Sequence, residues 1–434
     1  MMRWIQSIGT RLEGRLGALG WSALIVFGLG RCHDVLNLVI KVGLGRWLKN
    51  DDFGAIEPIS SALIILAIPV TVIFQIGVKS ISRLDAGGRG AERTALLVDL
   101  TKAAFVGSCL SVAVLWVLQP YILSRLHLES RGVVYLVMGG IFIAGWWQAL
   151  YAAVFQGVRR FWLMTVTAVA SPLIVLVLTG LLVLAMKWEL TGALLARLVG
   201  TLFGLVIGFR VVLPLFRGER APYSEEKSML RTLVLPMTVF IVAKTVLLHF
   251  DRLFVRNYLF SESAGYGAIV TIGQIPMVAI SAIVLVIFPL AAAEHADGRD
   301  VKRFLVQGVG AGLLVTLISV LILAAAGTPL LNLWNRDAFG AYGPYVWIHT
   351  LAMGLHGIIE ILASVEIARH RYKGLWWLAI GTAAMSAGLY FYSSRVDLLT
   401  LLGVITGTRA LILVAMWWSS MRQEAAASNK AAAA

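Results

Sequence analysis

Residues 304–335 read FLVQGVGAGLLVTLISVLILAAAGTPLLNLWN, a run of 32 residues without Asp, Glu, Lys or Arg. Crossing a bilayer takes about 20 largely apolar residues, and a surface helix of a soluble protein would carry a polar face. This run therefore predicts a membrane span. Seven more charge-free runs of 21 residues or longer lie at 58–78, 103–124, 132–158, 161–186, 263–293, 338–359 and 374–394. Four further apolar stretches, 17–44, 190–209, 232–255 and 398–421, are interrupted by charge. Together they predict an all-α polytopic membrane protein with twelve transmembrane helices.

The whole chain has the same character. Its 434 residues are 59% hydrophobic and 14% charged, with mean hydropathy +0.84. Soluble domains carry about 25% charged residues, so that class is excluded. Cys32 and Cys109 both lie in apolar runs, which excludes a disulfide framework or a Cys-based metal site. The basic stretch before residue 17 does not read as a cleavable leader, because the apolar stretch after it is long and charged.

The net charge of +14 tests the span count. With the N-terminus inside, the inside segments hold 23 Lys and Arg and the outside loops hold 8. That asymmetry follows the positive-inside rule and predicts both termini in the cytoplasm of a cytoplasmic (inner) membrane. Most of the basicity is thus a topology signal, with no nucleic acid implied. The inside segment 216–231, FRGERAPYSEEKSMLR, reads as a linker between an N-terminal lobe, 1–215, and a C-terminal lobe, 232–424. The Ala-rich residues 425–434 read as a disordered tail.

The two halves resemble each other. Phe53-Gly54-Ala55-Ile56 opens the second span and Tyr266-Gly267-Ala268-Ile269 opens the eighth. Extending that register sets Lys41 opposite Arg252 and His33 opposite Lys244. Either the matches arise by chance in apolar sequence, or they mark a parallel repeat of two six-helix lobes about an axis along the membrane normal.

Enzyme signatures are missing. The chain has no Gly-x-x-x-x-Gly-Lys-Ser/Thr loop, no His-Glu-x-x-His and no Gly-x-Ser-x-Gly. Gly87-Gly88-Arg89-Gly90 reads as a flexible turn. The outside loops are too short for a catalytic domain, so a transporter without a bound cofactor leads over a membrane glycosyltransferase. Its drive must come from an ion gradient such as H⁺ or Na⁺, from membrane potential, or from onward use of the substrate.

Charges at membrane depth are expensive and tend to face a bundle interior or a water-filled cavity. Six are basic: Arg31, Lys41, Arg197, Lys244, Arg252 and Arg409. Four are acidic: Asp34, Glu57, Asp251 and Glu360. Asp34 and Lys41 stand seven apart on one helix face, bordered by Arg31; Lys244 and Asp251 repeat the spacing, with Arg252 alongside. His349, His356 and Glu360 form another stripe, which reads as a proton relay or as packing hydrogen bonds between helices. The basic residues are candidates for an anion-binding cavity suited to a pyrophosphate; Asp34, Glu57, Asp251, Glu360 and His356 are candidates for ion coupling. Ion pairing within the bundle and snorkelling from helix ends are the competing readings. Pro69, Pro172, Pro236 and Pro276 fall inside spans, where each permits a kink.

Several segments resemble a known family. His249-Phe-Asp-Arg-Leu-Phe-Val-Arg-Asn-Tyr-Leu259, Ser263-Ala-Gly-Tyr-Gly-Ala268, Ile287-Phe-Pro-Leu-Ala291 and Phe155-Gln-Gly-Val-Arg-Arg-Phe161 are similar to polysaccharide transporters. These are the O-antigen and lipid-linked oligosaccharide flippases of the multidrug/oligosaccharidyl-lipid/polysaccharide (MOP) superfamily. The resemblance implies a V-shaped, two-lobed, MATE-like monomer that is not an enzyme. It would move undecaprenyl-pyrophosphate-linked oligosaccharide, an O-antigen or exopolysaccharide repeat unit, from the inner to the outer leaflet by alternating access. Its partners would be the lipid-linked oligosaccharide, the bilayer and the polymerase or assembly proteins of polysaccharide and lipopolysaccharide biosynthesis. The family's basic cavity maps onto Arg31, Lys41, Lys244 and Arg252. Two related roles stay open: a cation-coupled multidrug exporter, which also has twelve helices, and a lipid II flippase, which typically has fourteen.

Overall fold

A computed structural model describes residues 30–129, 131–158, 160–296, 301–334, 338–369 and 371–433. The described residues are helical almost throughout. Helix α1 covers 30–47. The others are α2 (Asn50–Leu66), α3 (Ile68–Ala86), α4 (Gly90–Arg125), α5 (Gly132–Gly157), α6 (Phe161–Thr179), α7 (Glu189–Val212), α8 (Ser224–Tyr258), α9 (Ser263–Gly273), α10 (Ile275–Ala296), α11 (Lys302–Leu331), α12 (Gly343–Ala368), α13 (Leu375–Phe391) and α14 (Leu398–Ala433).

Every expected span has a helical counterpart. Among the described residues, nine helical stretches are long and apolar enough to cross a bilayer, and the α2–α3 pair makes a tenth as one bent span. The 17-residue α13 is apolar but shorter. The first expected span begins outside the described residues and continues as α1.

The breaks have a chemical cause. Helices α2 and α3 meet at 55° across Ala67, two residues before Pro69. Helices α9 and α10 part at Gln274, two residues before Pro276. Proline has no amide to donate and crowds the preceding turn, so the helix resets just ahead of it. By contrast, Pro172 and Pro236 lie inside α6 and α8, which run on through them.

Two boundaries differ from the sequence reading. Helix α8 begins at Ser224, so the second half of the expected linker is helical; a cap-forming Ser followed by Glu225 and Glu226 favours a helix start there. Helix α14 runs to Ala433, through the stretch read as a disordered tail, in keeping with the helix propensity of alanine.

The chain forms two compact units. The first holds residues up to Leu48, Pro69–Ser124 and Leu128–Val234. In it α5 and α6 pack on α7, and Trp146 Nε1 donates to Ser111 Oγ at 2.8 Å. The second holds Lys49–Ile68, Arg125–His127 and Leu235–Ala434. Its centre is α12, which packs against α9, α10, α11 and α14. Helix α2 therefore groups with the C-terminal half of the sequence, whereas the expected lobe boundary assigned it to residues 1–215.

The pairing of α2 with α9 joins the two copies of the repeated motif. Ser263 Oγ donates to the Gly54 carbonyl at 2.7 Å, and a Cβ at Gly54 would stand 2.9 Å from the Ala264 amide nitrogen. On the other side Gly267 lies against Phe53 and Glu57. Small residues let helix backbones approach closely, which is how helices associate in lipid.

Candidate functional site

Polar side chains of the second unit converge on α8 along two stripes. His249, Arg252 and Arg256 stand three and four residues apart and face α2. Ser61 Oγ lies 3.3 Å from His249 Nδ1, to which Arg252 Nη1 donates at 3.1 Å. Arg252 also pairs with Glu57 at 3.3 Å, both groups buried. Arg256 pairs with Asp51 at 2.8 Å, donates to the Leu126 carbonyl at 2.9 Å and stacks over Phe260. The two helices run antiparallel, so the three bridges form a ladder. Its guanidinium groups are spent on protein partners, as buried charge requires.

The second stripe, Lys244, Leu247 and Asp251, faces α12 and α14. Lys244 Nζ pairs with Glu360 Oε1. Tyr266 donates to Asp251 Oδ2 at 2.6 Å, and His349 Nε2 stands 4.0 Å from the same oxygen. Arg409, fully buried, donates to the Leu247 carbonyl at 2.6 Å and to the Ile405 carbonyl at 3.2 Å. Thus the stripes Lys244/Asp251 and His349/His356/Glu360, each legible in the sequence, are brought together antiparallel. The pairings between side chains here join different helices, except that of His356, whose Nε2 is 3.9 Å from Glu360 one turn on; Arg409 also donates within its own helix, to Ile405.

Neither His349 nor His356 has a hydrogen-bond partner for its ring nitrogens among the described residues. The expected His-His-Glu stripe is therefore a set of neighbours with no continuous hydrogen-bond relay.

The candidates of the first unit are more open. Arg31 pairs with Asp34 at 3.2 Å on α1, with 34% and 39% of the side chains exposed. His33 Nδ1 donates to the Ala168 carbonyl at 2.8 Å, which sets its tautomer. Lys41 and Arg197 are each half-buried, on α1 and α7.

Exposure sorts the ten charged candidates. Glu57, Asp251, Arg252 and Arg409 are buried and held by protein groups. Lys244 and Glu360 retain 37% and 16% exposure, and Arg31 and Asp34 retain about a third. A charged pair in the middle of a span that keeps exposed surface faces water more readily than acyl chains. Among the described residues no group of three His, Cys, Asp or Glu side chains is placed to hold a metal ion. The ladder partners Asp51, Ser61 and Arg256 were missed in sequence. The signal was present as the three- and four-residue spacing of His249, Arg252 and Arg256.

A model of the polysaccharide biosynthesis protein family matches residues 20–294, well over half of the chain. No curated protein matches it. Among solved structures it is similar to a multidrug resistance MATE family transporter of the MOP superfamily in an inward-facing conformation, at 12% identity and TM-score 0.73, covering 93% of this chain and 98% of that one. It is similar to the lipid II flippase MurJ in an inward closed conformation, at 11% identity and TM-score 0.68, with 92% and 87% covered. A MOP superfamily transporter from Pyrococcus furiosus, described as having a binding pocket of reverse polarity, matches at 12% identity and TM-score 0.62, with 93% and 94% covered. At such identities the likeness is one of fold.

Proposed function

The chain belongs to the polysaccharide biosynthesis protein family, and we propose that it is a flippase for undecaprenyl-pyrophosphate-linked oligosaccharide. It has the fold of MOP-superfamily transporters and is a multi-pass membrane protein. In this reading it works as a monomer in the cytoplasmic membrane, with both termini inside. It carries O-antigen or exopolysaccharide repeat units to the outer leaflet by alternating access, where assembly enzymes consume them.

The observation that carries the reading is the partly exposed Lys244–Glu360 pair at the centre of the expected span 232–255. A lysine amine is a mobile donor well suited to phosphate oxygens. A pyrophosphate group approaching it takes the place of Glu360, so Glu360 is a counter-ion the substrate displaces. A proton on Glu360 would weaken the pair in the same way, which is the route by which H⁺ could couple to the cycle. Arg31 and Asp34 form an analogous exposed pair in the first unit. A cationic drug gains nothing from Lys244, which argues against a multidrug exporter.

The experiment is transport in vesicles of purified protein loaded with a fluorescent polyprenyl-diphosphate oligosaccharide. Outer-leaflet accessibility should rise in its presence. Equal rates with protein-free vesicles, together with export of cationic dyes, would replace the flippase reading with the exporter.

A further inference from the structure

The α13–α14 pair carries a groove that lies apart from every residue assigned above. It encloses about 660 Å³ and is lined on α13 by Trp377, Gly381, Ala384 and Gly388, and on α14 by Thr408 and Ile412. The α13 positions recur every three or four residues, a single stripe along the helix. With Tyr392 at its end, the stripe is about 22 Å long at 1.5 Å per residue. Gly381 lets α14 pack closely, since a Cβ there would collide with Ile412, whereas the space beside Gly388 stays open. At Gly388 an added Cβ would meet no heavy atom within 4 Å.

One end of the groove has the chemistry of a head-group layer. Tyr390, Phe391 and Tyr392 are all well exposed there, as aromatic residues are at a membrane–water interface. Arg395, three residues beyond, lines the mouth and is exposed. The neighbouring carboxylate is turned away: Asp397 Oδ1 accepts from the Thr400 amide at 2.7 Å and caps α14. Arg395 therefore presents its guanidinium at the aromatic end of a trough that is largely apolar below it.

We propose that this groove seats an anionic phospholipid, one acyl chain along α13 and its phosphate on Arg395. One leaflet of hydrocarbon is about 15 Å deep, half the bilayer core, so the trough takes a chain along its whole depth. The binding of this lipid is independent of the Lys244–Glu360 pair and of what the protein transports.

Native mass spectrometry of the detergent-purified full chain tests this with phosphatidylglycerol, phosphatidylethanolamine and glycerol 3-phosphate as probes. Phosphatidylglycerol should be retained about fivefold more than phosphatidylethanolamine, the effect of one basic residue at the surface. Arg395→Gln should make the two lipids equal, and Gly388→Leu, which fills open space, should lower the retention of both. The proposal is overturned if neither variant changes retention, or if Gly388→Leu alone has no effect, which leaves only surface charge. It is also overturned if glycerol 3-phosphate binds as well as the lipid, or if a polyprenyl phosphate displaces phosphatidylglycerol at equal concentration.

Discussion

Lys244 on α8 and Glu360 on α12 form an ion pair that stays partly open to its surroundings, with 37% and 16% of the side chains exposed. The neighbouring charges Asp251 and Arg252 on α8 and Arg409 on α14 are buried and committed to protein partners. In the proposed reading this pair is where the substrate exchanges for a protein group. Exchanging the two charges in the double variant Lys244→Glu/Glu360→Lys should restore the thermal stability lost in either single variant. Transport should stay impaired, because the lysine then projects from a different helix. Melting of detergent-solubilised protein and vesicle flipping together read this out.

The buried Arg252–Glu57 pair should behave oppositely. Removing one partner leaves an uncompensated buried charge, at about 3–5 kcal/mol. Glu57→Ala should therefore destabilise the second unit strongly, while Glu57→Leu combined with Arg252→Met should recover most of the loss. Thermal unfolding of the three variants measures it; a mild effect of Glu57→Ala would mean that the pair is already hydrated.

Asp251 depends on its hydrogen bond from Tyr266. Tyr266→Phe removes a donor to a buried carboxylate, a loss of about 1.5–3 kcal/mol. The same unfolding assay should place this variant between the wild type and Glu57→Ala.

Gly54 sits where α2 and α9 nearly touch. A Cβ there would stand 2.9 Å from the Ala264 backbone nitrogen, which cannot turn aside as a side chain can. Gly54→Val should cost about 1–3 kcal/mol in overpacking and open the helix pair. Faster hydrogen exchange in residues 263–273 would report it.

The start of α14 carries a pH dependence. Hydrogen bonds from Thr400 hold the Asp397 carboxyl below its ordinary value of 3.8. A carboxylate with a lowered folded-state pKa stabilises fully above its unfolded value, and the contribution disappears as pH falls through the folded one. Protection of the Thr400 amide should thus be constant from neutral pH down to about 4 and decline below it. Asp397→Asn should remove that decline.

How much of this was legible in sequence follows from what sets each feature. Span number comes from hydropathy, a local property, so residues 304–335 already announced α11. The stripes Lys244/Asp251 and His349/His356/Glu360 were legible as faces, because helical periodicity is local too. Their mutual pairing is a tertiary fact that periodicity does not encode, and neither is the insertion of Arg409 against the Leu247 carbonyl. Arg256 and Asp51 lie past the apolar runs, where hydropathy gives them no place in the bundle; the helices continue beyond those runs and pair them. The aromatic-Gly-Ala-Ile repeat was legible as a repeat, but its self-pairing between α2 and α9 depends on the close approach at Gly54.

The most direct test of the central claim is the affinity of a polyprenyl-diphosphate oligosaccharide for the wild type, Lys244→Gln and Glu360→Gln. A charge-assisted hydrogen bond to phosphate is worth about 1.5–3 kcal/mol, so Lys244→Gln should weaken binding about 10- to 100-fold. Glu360→Gln, freed of the competing carboxylate, should bind more tightly than the wild type. Unchanged affinity in Lys244→Gln, or weaker binding in Glu360→Gln, would contradict the account.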